Sequence, residues 1–235
     1  SKNIKSINDV RTFLIDNYSI DMTTDSDIIS GYDHDWSNMN GFADALCRPK
    51  NELETAIIIK LCYNLNIPVT ISAGRTNLTG SATPEGGIII SIAKMKNLGK
   101  LNKQKKNVVC SPGVYVEDLR NFVLEESNSH LIFPVDPTSR KEAMIGGAIS
   151  CNASGFIPGE KGAIRYWVES LKFILPNGEC INASRGQYIS NNGSLLFSFC
   201  VFVNIVRMWF TWFSKSPTPI WSMLNFSLMP DRTLL

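Results

Sequence analysis

The residues best suited to chemistry stand in one short run: Ser72-Ala73-Gly74-Arg75-Thr76-Asn77-Leu78-Thr79-Gly80-Ser81-Ala82-Thr83-Pro84. A β-branched stretch precedes it, Ile67-Pro68-Val69-Thr70-Ile71. Another follows, Gly86-Gly87-Ile88-Ile89-Ile90-Ser91-Ile92. A strand, a loop of small residues and a second strand make an anion cradle. Small side chains let the backbone approach a phosphate closely, and successive loop N–H groups can converge on its oxygens. The hydroxyls of Thr76, Thr79 and Ser81 and the amide of Asn77 would add hydrogen bonds. The same residues also suit a hairpin loop with no ligand. The loop alone leaves both readings open.

The elements around it must hold the loop in place. Ser6 to Asn17 predicts a helix with Ser6 as N-cap, Asp9 three residues on, and Val10, Phe13 and Leu14 on one face. Thr23 to Asn40 reads as polar and irregular. Ala43 to Cys47 reads as a short strand ended by Arg48-Pro49. Asn51 then caps a helix, with Glu54 placed for a box-like cap. Leu53, Ala56, Ile57, Leu61 and Leu65 are its expected buried stripe, and Asn66 ends it. This strand–helix–strand unit is an α/β signature that runs straight into the loop. Further on, Val108 to Ser111 predicts a strand and Pro112-Gly113 a turn. Val116, Leu119 and Val123 mark the apolar face of another helix. Ser170 to Ala183 predicts a hairpin about Pro176-Asn177-Gly178, because Asn-Gly favours positive φ.

Two more motifs follow the loop in order. One is Pro134-Val135-Asp136-Pro137-Thr138-Ser139, continued by Ile145-Gly146-Gly147-Ala148-Ile149 and Asn152-Ala153-Ser154-Gly155. The other is Gly162-Ala163-Ile164-Arg165-Tyr166-Trp167-Val168-Glu169-Ser170-Leu171, leading into Leu175-Pro176-Asn177-Gly178-Glu179. In this order and spacing the three resemble the flavin-binding domain of the vanillyl-alcohol oxidase / p-cresol methylhydroxylase (PCMH) family. The likeness is closest to the FAD-linked 2-hydroxyacid dehydrogenases, the glycolate oxidase subunit and D-lactate dehydrogenase group. It runs from about Gly41 to about Tyr188.

The resemblance implies an α+β fold with α/β-type lobes: a two-lobed PCMH-type FAD-binding domain without the cap and C-terminal domains. The lobes are expected at residues 1–98 and 99–188, with FAD in the cleft between them. Ser72 to Ser81 would wrap the pyrophosphate. Ala73 and Arg75 stand where the family commonly has glycine. Arg75 would either add charge to phosphate binding or face solvent. Gly146 and Gly147 would let the backbone approach the diphosphate or the flavin ring, or else serve only a tight packing point. Pro134, Thr138 and Ser139 would contact the flavin side, with Asn152 and Gly155 close by. Val168 would begin a strand beside the adenine. Asp136 reads as a turn or capping carboxylate, not a base. The implied reaction is oxidation of a 2-hydroxy acid such as D-lactate or glycolate, a small-molecule substrate. The alternatives are another flavoenzyme of the superfamily (alkylglycerone-phosphate synthase-like or sugar-nucleotide reductase-like) or a truncated, non-catalytic flavin-binding protein.

Histidine placement narrows the chemistry. The chain has 2 histidines, His34 and His130, and neither lies in the loop. A histidyl-linked flavin there is excluded, so dissociable, non-covalent FAD is expected. His34, Asp33, Asp35 and Asn38 read as a solvated polar loop and not a metal site. His130 reads as a surface residue at the start of a strand. No catalytic base is assigned, and this chain alone is expected to be inactive.

Composition excludes other classes. A net charge of +2 gives no case for nucleic acid. The lysines at 100, 103, 105 and 106 read as a solvated turn, with no aromatic residues interleaved to stack bases. The 6 cysteines include no C-x-x-C pair, which removes zinc and thioredoxin-like readings. Their scattered, mostly apolar settings suggest reduced core cysteines in a cytoplasmic protein. The start, Ser1-Lys2-Asn3-Ile4-Lys5, has no initiator methionine and reads as trimmed, without a secretory signal. From about residue 189 the chemistry changes. Asn191 to Pro230 carries only Arg207 and Lys215 as charges, and Trp209, Trp212 and Trp221 fall within it. Leu195 to Phe213 is long enough to span a bilayer, though Asn204 and Arg207 would be costly there. Membrane contact is expected only through 195–213. A membrane anchor and a buried helix compete with the favoured reading, in which 189–235 is a translation error (a frameshift product) or a truncation scar and not family sequence.

Overall fold

The computed structural model describes residues 4, 6–157 and 160–184. The expectations for 189–235, including membrane contact, lie outside the described residues.

Local caps set the first helices. In α1 (Ile7–Tyr18) the Ser6 hydroxyl accepts from the Asp9 N–H at 3.2 Å, and the Asp9 carboxylate accepts from the Ser6 N–H at 3.0 Å. These two bonds satisfy donors that a helix start leaves open. A short strand β1 (Met22–Thr23) and a five-residue helix α2 (Ser26–Ser30) follow. They replace part of the irregular stretch expected from Thr23 to Asn40. An element of that length shows no period to read; only the Asp25 cap marks it. Strand β2 is Ala45–Cys47, two residues shorter at its start than expected.

Helix α3 (Glu52–Leu65) begins at Asn51, whose side chain accepts from the Glu54 N–H at 2.9 Å, and ends at Asn66 with φ of 54°. Its buried face is Thr55, Ile58, Ile59 and Cys62. The expected stripe is therefore corrected. Leu53 is 68% exposed, while Ile57, Leu61 and Leu65 flank the core. Three consecutive isoleucines make α3 apolar around much of its girth, so spacing alone does not choose the centre of its face.

Strands β3 (Val69–Ser72) and β4 (Ile88–Ser91) complete a sheet in the order β1-β2-β4-β3. β1 is antiparallel to β2; β2, β4 and β3 run parallel. All of β4 is buried. Ile88 and Ile90 meet α1 and α3 on one face, and Ile89 with Leu46 meets Ile29 of α2 on the other. Because β3 and β4 are parallel neighbours, the loop from 73 to 87 is a crossover. The hairpin reading of it fails, since a tight hairpin joins only antiparallel strands.

The second half has its own core around Val116, Leu119 and Val123 of helix α4 (Val116–Glu126), with Val135, Ile145, Ala148 and Ile164. The strand expected at Val108 to Ser111 is absent: only a single bridge joins Leu98 and Cys110. The lysine-rich turn, bridged at Asn102 and Asn107, spends this stretch on reversing direction. Helix α5 is Ile145–Ser150. The hairpin forms as β5 (Ser170–Ile174) and β6 (Cys180–Ser184), with Gly178 at φ of 82°. Val168 precedes β5 and packs on the second core instead of opening the strand. The hairpin leans on α3 through a Lys172–Glu52 ion pair at 2.6 Å. Ile92, Met95 and Met144 join the two halves, packed with Ala73 and Tyr115.

Cys47 and Cys62 are buried, and burial pushes the Cys62 thiol up to about 12. Cys151 and Cys180 are exposed, which corrects the expectation of core cysteines for these two. His130 is exposed and its ring meets the Ser127 carbonyl at 2.9 Å, but no strand follows it. Among the described residues no helix is long and apolar enough to cross a membrane.

Candidate functional site

A cleft of about 2050 Å³ opens beside the crossover loop. Ala73 to Asn77, Thr79, Gly80 and Ser81 border it, as do Pro134, Thr138, Ser139, Gly146, Gly147, Gly155 and Val168. The three sequence motifs thus meet around one space. Ser72, Leu78 and Asn152 do not border it. Ser72 is the last residue of β3 and fully buried, and its hydroxyl has no partner. Leu78 points to solvent at 73% exposure. Asn152 sits at φ of 50° with its side-chain oxygen buried and unpartnered.

The glycines explain how the motifs come so close. A Cβ on Gly147 would stand 3.1 Å from the Ala73 Cβ, so α5 lies directly against the start of the loop. A Cβ on Gly74 would meet the Glu142 carbonyl at 2.1 Å, and one on Gly155 would meet the Asp136 carbonyl at 1.8 Å. Each contact is protein against protein, so these glycines serve close packing of the site's walls.

Loop donors divide into two groups. Asn77 Oδ1 accepts from the N–H groups of Thr79 and Ser81 and from the Thr79 hydroxyl, all at 3.2 Å. The Ala82 N–H goes to Asp35 and the Thr83 N–H to the Gly80 carbonyl. Asn77 therefore braces the loop from within through its side-chain oxygen. The N–H groups of Gly74, Thr76, Asn77 and Leu78 take no part in these bonds.

Arg75 borders the cleft and is held by residues from outside the loop. Its guanidinium lies over the Tyr32 ring, 4.6 Å from the centroid, and donates to the Gly31 carbonyl. Its φ is 56°, in the left-handed region that favours glycine.

The acidic cluster around His34 is split. His34 meets Asp33 at 2.6 Å near the surface. Asp35 turns inward and is 4% exposed. Burial opposes its ionisation, but hydrogen bonds from Ser37, the Ala82 N–H and Asn77 outweigh that and hold the carboxyl below its usual range. Asp136, expected to be a turn or capping group, is an ion-pair partner: Arg140 meets it at 2.9 Å and Arg120 at 3.9 Å. Arg120 also donates to the carbonyls of Phe133 and Val135, both at 3.0 Å, so the Pro134–Ser139 wall is held from behind. Sequence reasoning missed this support because Arg120 and Arg140 belong to no motif.

Comparison with known proteins agrees with this arrangement. A D-lactate dehydrogenase of Anaerostipes hadrus is 30% identical over 74% of this chain and 37% of its own length. The mitochondrial D-lactate dehydrogenase [cytochrome] of Arabidopsis thaliana is 33% identical over 77% of this chain and 31% of its own. The glycolate oxidase subunit GlcD of Bacillus subtilis is 30% identical over 59% of this chain and 29% of its own. The chain thus spans about a third of the length of the relatives it matches. A solved alkyldihydroxyacetonephosphate synthase superposes on it with a TM-score of 0.71 at 14% identity, over 86% of this chain and 41% of that one. A chitooligosaccharide oxidase superposes with a TM-score of 0.62 at 13% identity, over 74% and 36%. These two show the fold. A family model described as an FAD binding domain matches residues 43–184; the chain belongs to this family, the PCMH-type FAD-binding domain of FAD-linked oxidoreductases, and its cofactor is FAD.

Proposed function

We propose that this chain is the FAD-binding portion of an oxidoreductase that oxidises a 2-hydroxy acid such as D-lactate or glycolate. Two lobes, 1–98 and 99–188, would hold the cofactor between them, non-covalently. The crossover loop would take the pyrophosphate on the N–H groups of Gly74, Thr76 and Asn77, which border the cleft. The wall at Pro134, Thr138 and Ser139 would face the flavin, with Gly155 packed on that wall at Asp136, Gly147 packed on the loop at Ala73, and Gly146 packed on Pro112. Bound FAD supplies the two-electron acceptor; the residues here bind and orient it.

The observation that carries the cofactor half is the set of loop amides beside a cleft that find no partner among the described residues. Unpaired donors in a loop of small residues fit a diphosphate, whose oxygens accept several hydrogen bonds at once. The substrate half rests on the relatives: those named D-lactate dehydrogenase, D-2-hydroxyglutarate dehydrogenase and glycolate oxidase subunit share one substrate class. A reducing, cytoplasmic setting for the free cysteines belongs to the same proposal.

The test is a fluorescence titration of the purified chain with FAD. Saturable binding is expected, and a folded chain that binds none overturns the reading. The substrate class is tested in a chimera in which residues 1–184 replace the matching part of the Anaerostipes hadrus enzyme. D-Lactate should reduce its bound flavin.

A further inference from the structure

The segment from Gly31 to Phe42 belongs to none of the three motifs, yet it is laced to the crossover loop along its length. The Trp36 N–H donates to the Arg75 carbonyl at 3.3 Å, the Phe42 N–H to the Pro84 carbonyl at 3.0 Å, and the Gly86 N–H returns to the Phe42 carbonyl at 2.7 Å. At its centre stands Asp35. One carboxylate oxygen accepts from the Ser37 N–H at 2.9 Å; the other accepts from the Ala82 N–H at 3.2 Å. The Asn77 side chain also favours the ionised Asp35 carboxyl, and Asn77 Oδ1 gathers Thr79 and Ser81. Asp35 therefore holds the far limb of the loop at Ala82, and Asn77 holds the same limb at Thr79 and Ser81.

A carboxylate is buried only where donors fill its lone pairs. Here the loop supplies donors, so ionised Asp35 and an ordered 77–82 limb require each other. Bonds to a charged acceptor are stronger than neutral ones. Asp35 does not border the cleft, so it acts through the loop and not on a ligand. We propose that Asp35 is a positioning residue for diphosphate binding: it clamps the 77–82 limb and so keeps the amides of Gly74, Thr76 and Asn77 in one arrangement before the ligand arrives. Ordering the loop in advance removes that cost from binding. This rests on the reading that the loop takes the pyrophosphate of FAD.

The test uses the full chain with Asp35→Asn, Asn77→Ala and the double variant. Affinities for FAD and for ADP are measured by titration. Amide hydrogen exchange is followed by NMR without ligand. Asp35→Asn keeps the shape but replaces one acceptor with a donor. Each single variant should bind FAD and ADP about tenfold more weakly, the loss expected for a charge-assisted hydrogen bond. Exchange should quicken at Ser37, Thr79, Ser81 and Ala82 in Asp35→Asn while α3 keeps its wild-type rates. A general loss of stability would not confine the change in this way. The double variant should bind no more weakly than the worse single one, because the two residues hold the same limb. FAD affinity within twofold of wild type in Asp35→Asn, or losses that multiply in the double variant, overturn the proposal. If Asp35→Asn does not fold, Asn77→Ala decides: a tenfold loss with faster exchange at Ser81 supports the clamp, and wild-type affinity overturns it. A wild-type chain that binds neither FAD nor ADP overturns the functional reading itself, an outcome distinct from the failure of Asp35 alone.

Discussion

Gly147 of α5 and Ala73 of the crossover loop are packed so tightly that a Cβ on the glycine would stand 3.1 Å from the alanine Cβ. This contact joins the second motif to the first, and it predicts a compensating pair. Gly147→Ala forces α5 and the loop apart by a few tenths of an ångström. Overpacking of this kind costs about 1–3 kcal/mol, against a helix-propensity gain of about 1 kcal/mol. The single variant should melt lower and bind FAD more weakly. Gly147→Ala combined with Ala73→Gly should recover most of the FAD affinity. Thermal melts and FAD titrations of the three proteins check this.

The loop glycines should tolerate substitution less well than Arg75. Gly74→Val drives a side chain into the Glu142 carbonyl. Gly80→Val strains a φ of 67° and meets the Met39 sulfur. Both should damage FAD binding more than Arg75→Ala, which loses the Tyr32 contact and one hydrogen bond, about 1 kcal/mol each. Arg75→Gly should recover part of that loss, because the left-handed conformation costs a non-glycine residue about 1–2 kcal/mol. A titration series ranking Arg75→Ala as the worst of the four would show that charge, not backbone geometry, governs the loop.

The parts of this design that sequence reveals are the local ones. The caps at Ser6 and Asn51 were legible because a cap involves residues three apart. The hairpin at Asn177-Gly178 was legible for the same reason. The parts that escaped depend on distance. The Asp35–Ala82 bond spans 47 residues, and nothing near Asp35 points to it. Asn77 gathers Thr79 and Ser81 through its side-chain oxygen, a bracing role that only the fold shows. The face of α3 was misjudged because its isoleucine run has no polar neighbour to mark an edge. The contacts of Arg75 with Tyr32 and Gly31 are likewise long-range, and nothing beside Arg75 in the sequence points to them.

Acid should weaken the first half of the chain through Asp21. This carboxylate meets Lys94 at 2.5 Å and Arg48 at 2.9 Å. Burial works against its charge, but the hydrogen bonds and charges of Lys94 and Arg48 outweigh that, so the folded carboxyl titrates below its usual 3.8. The sign follows from linkage. A lowered folded value contributes stability that is present above pH 3.8 and is lost as pH falls through the folded value. Asp21→Asn should be less stable than wild type at pH 7, and the gap should close below pH 3.8. Urea unfolding at pH 7, 5 and 3 measures it; a gap that stays constant would mean the pair contributes through packing alone.

The FAD-loaded chain should not be reduced by hydroxy acids. Oxidising the α-carbon requires a base within hydrogen-bond reach of the substrate hydroxyl and walls that hold the carbon at the acceptor. Neither His34 nor His130 borders the cleft. His34 faces Asp33 and His130 faces the Ser127 carbonyl. Of the carboxylates beside the cleft, Glu52 is paired with Lys172 and Glu169 accepts from Asn107 at 2.6 Å. The assay is anaerobic bleaching of the flavin by D-lactate, glycolate or D-2-hydroxyglutarate at saturating FAD. The yellow colour should persist for hours with all three. Rapid bleaching by any one would place a working base within these 235 residues, and Glu85, which also borders the cleft, would be the first to replace by glutamine.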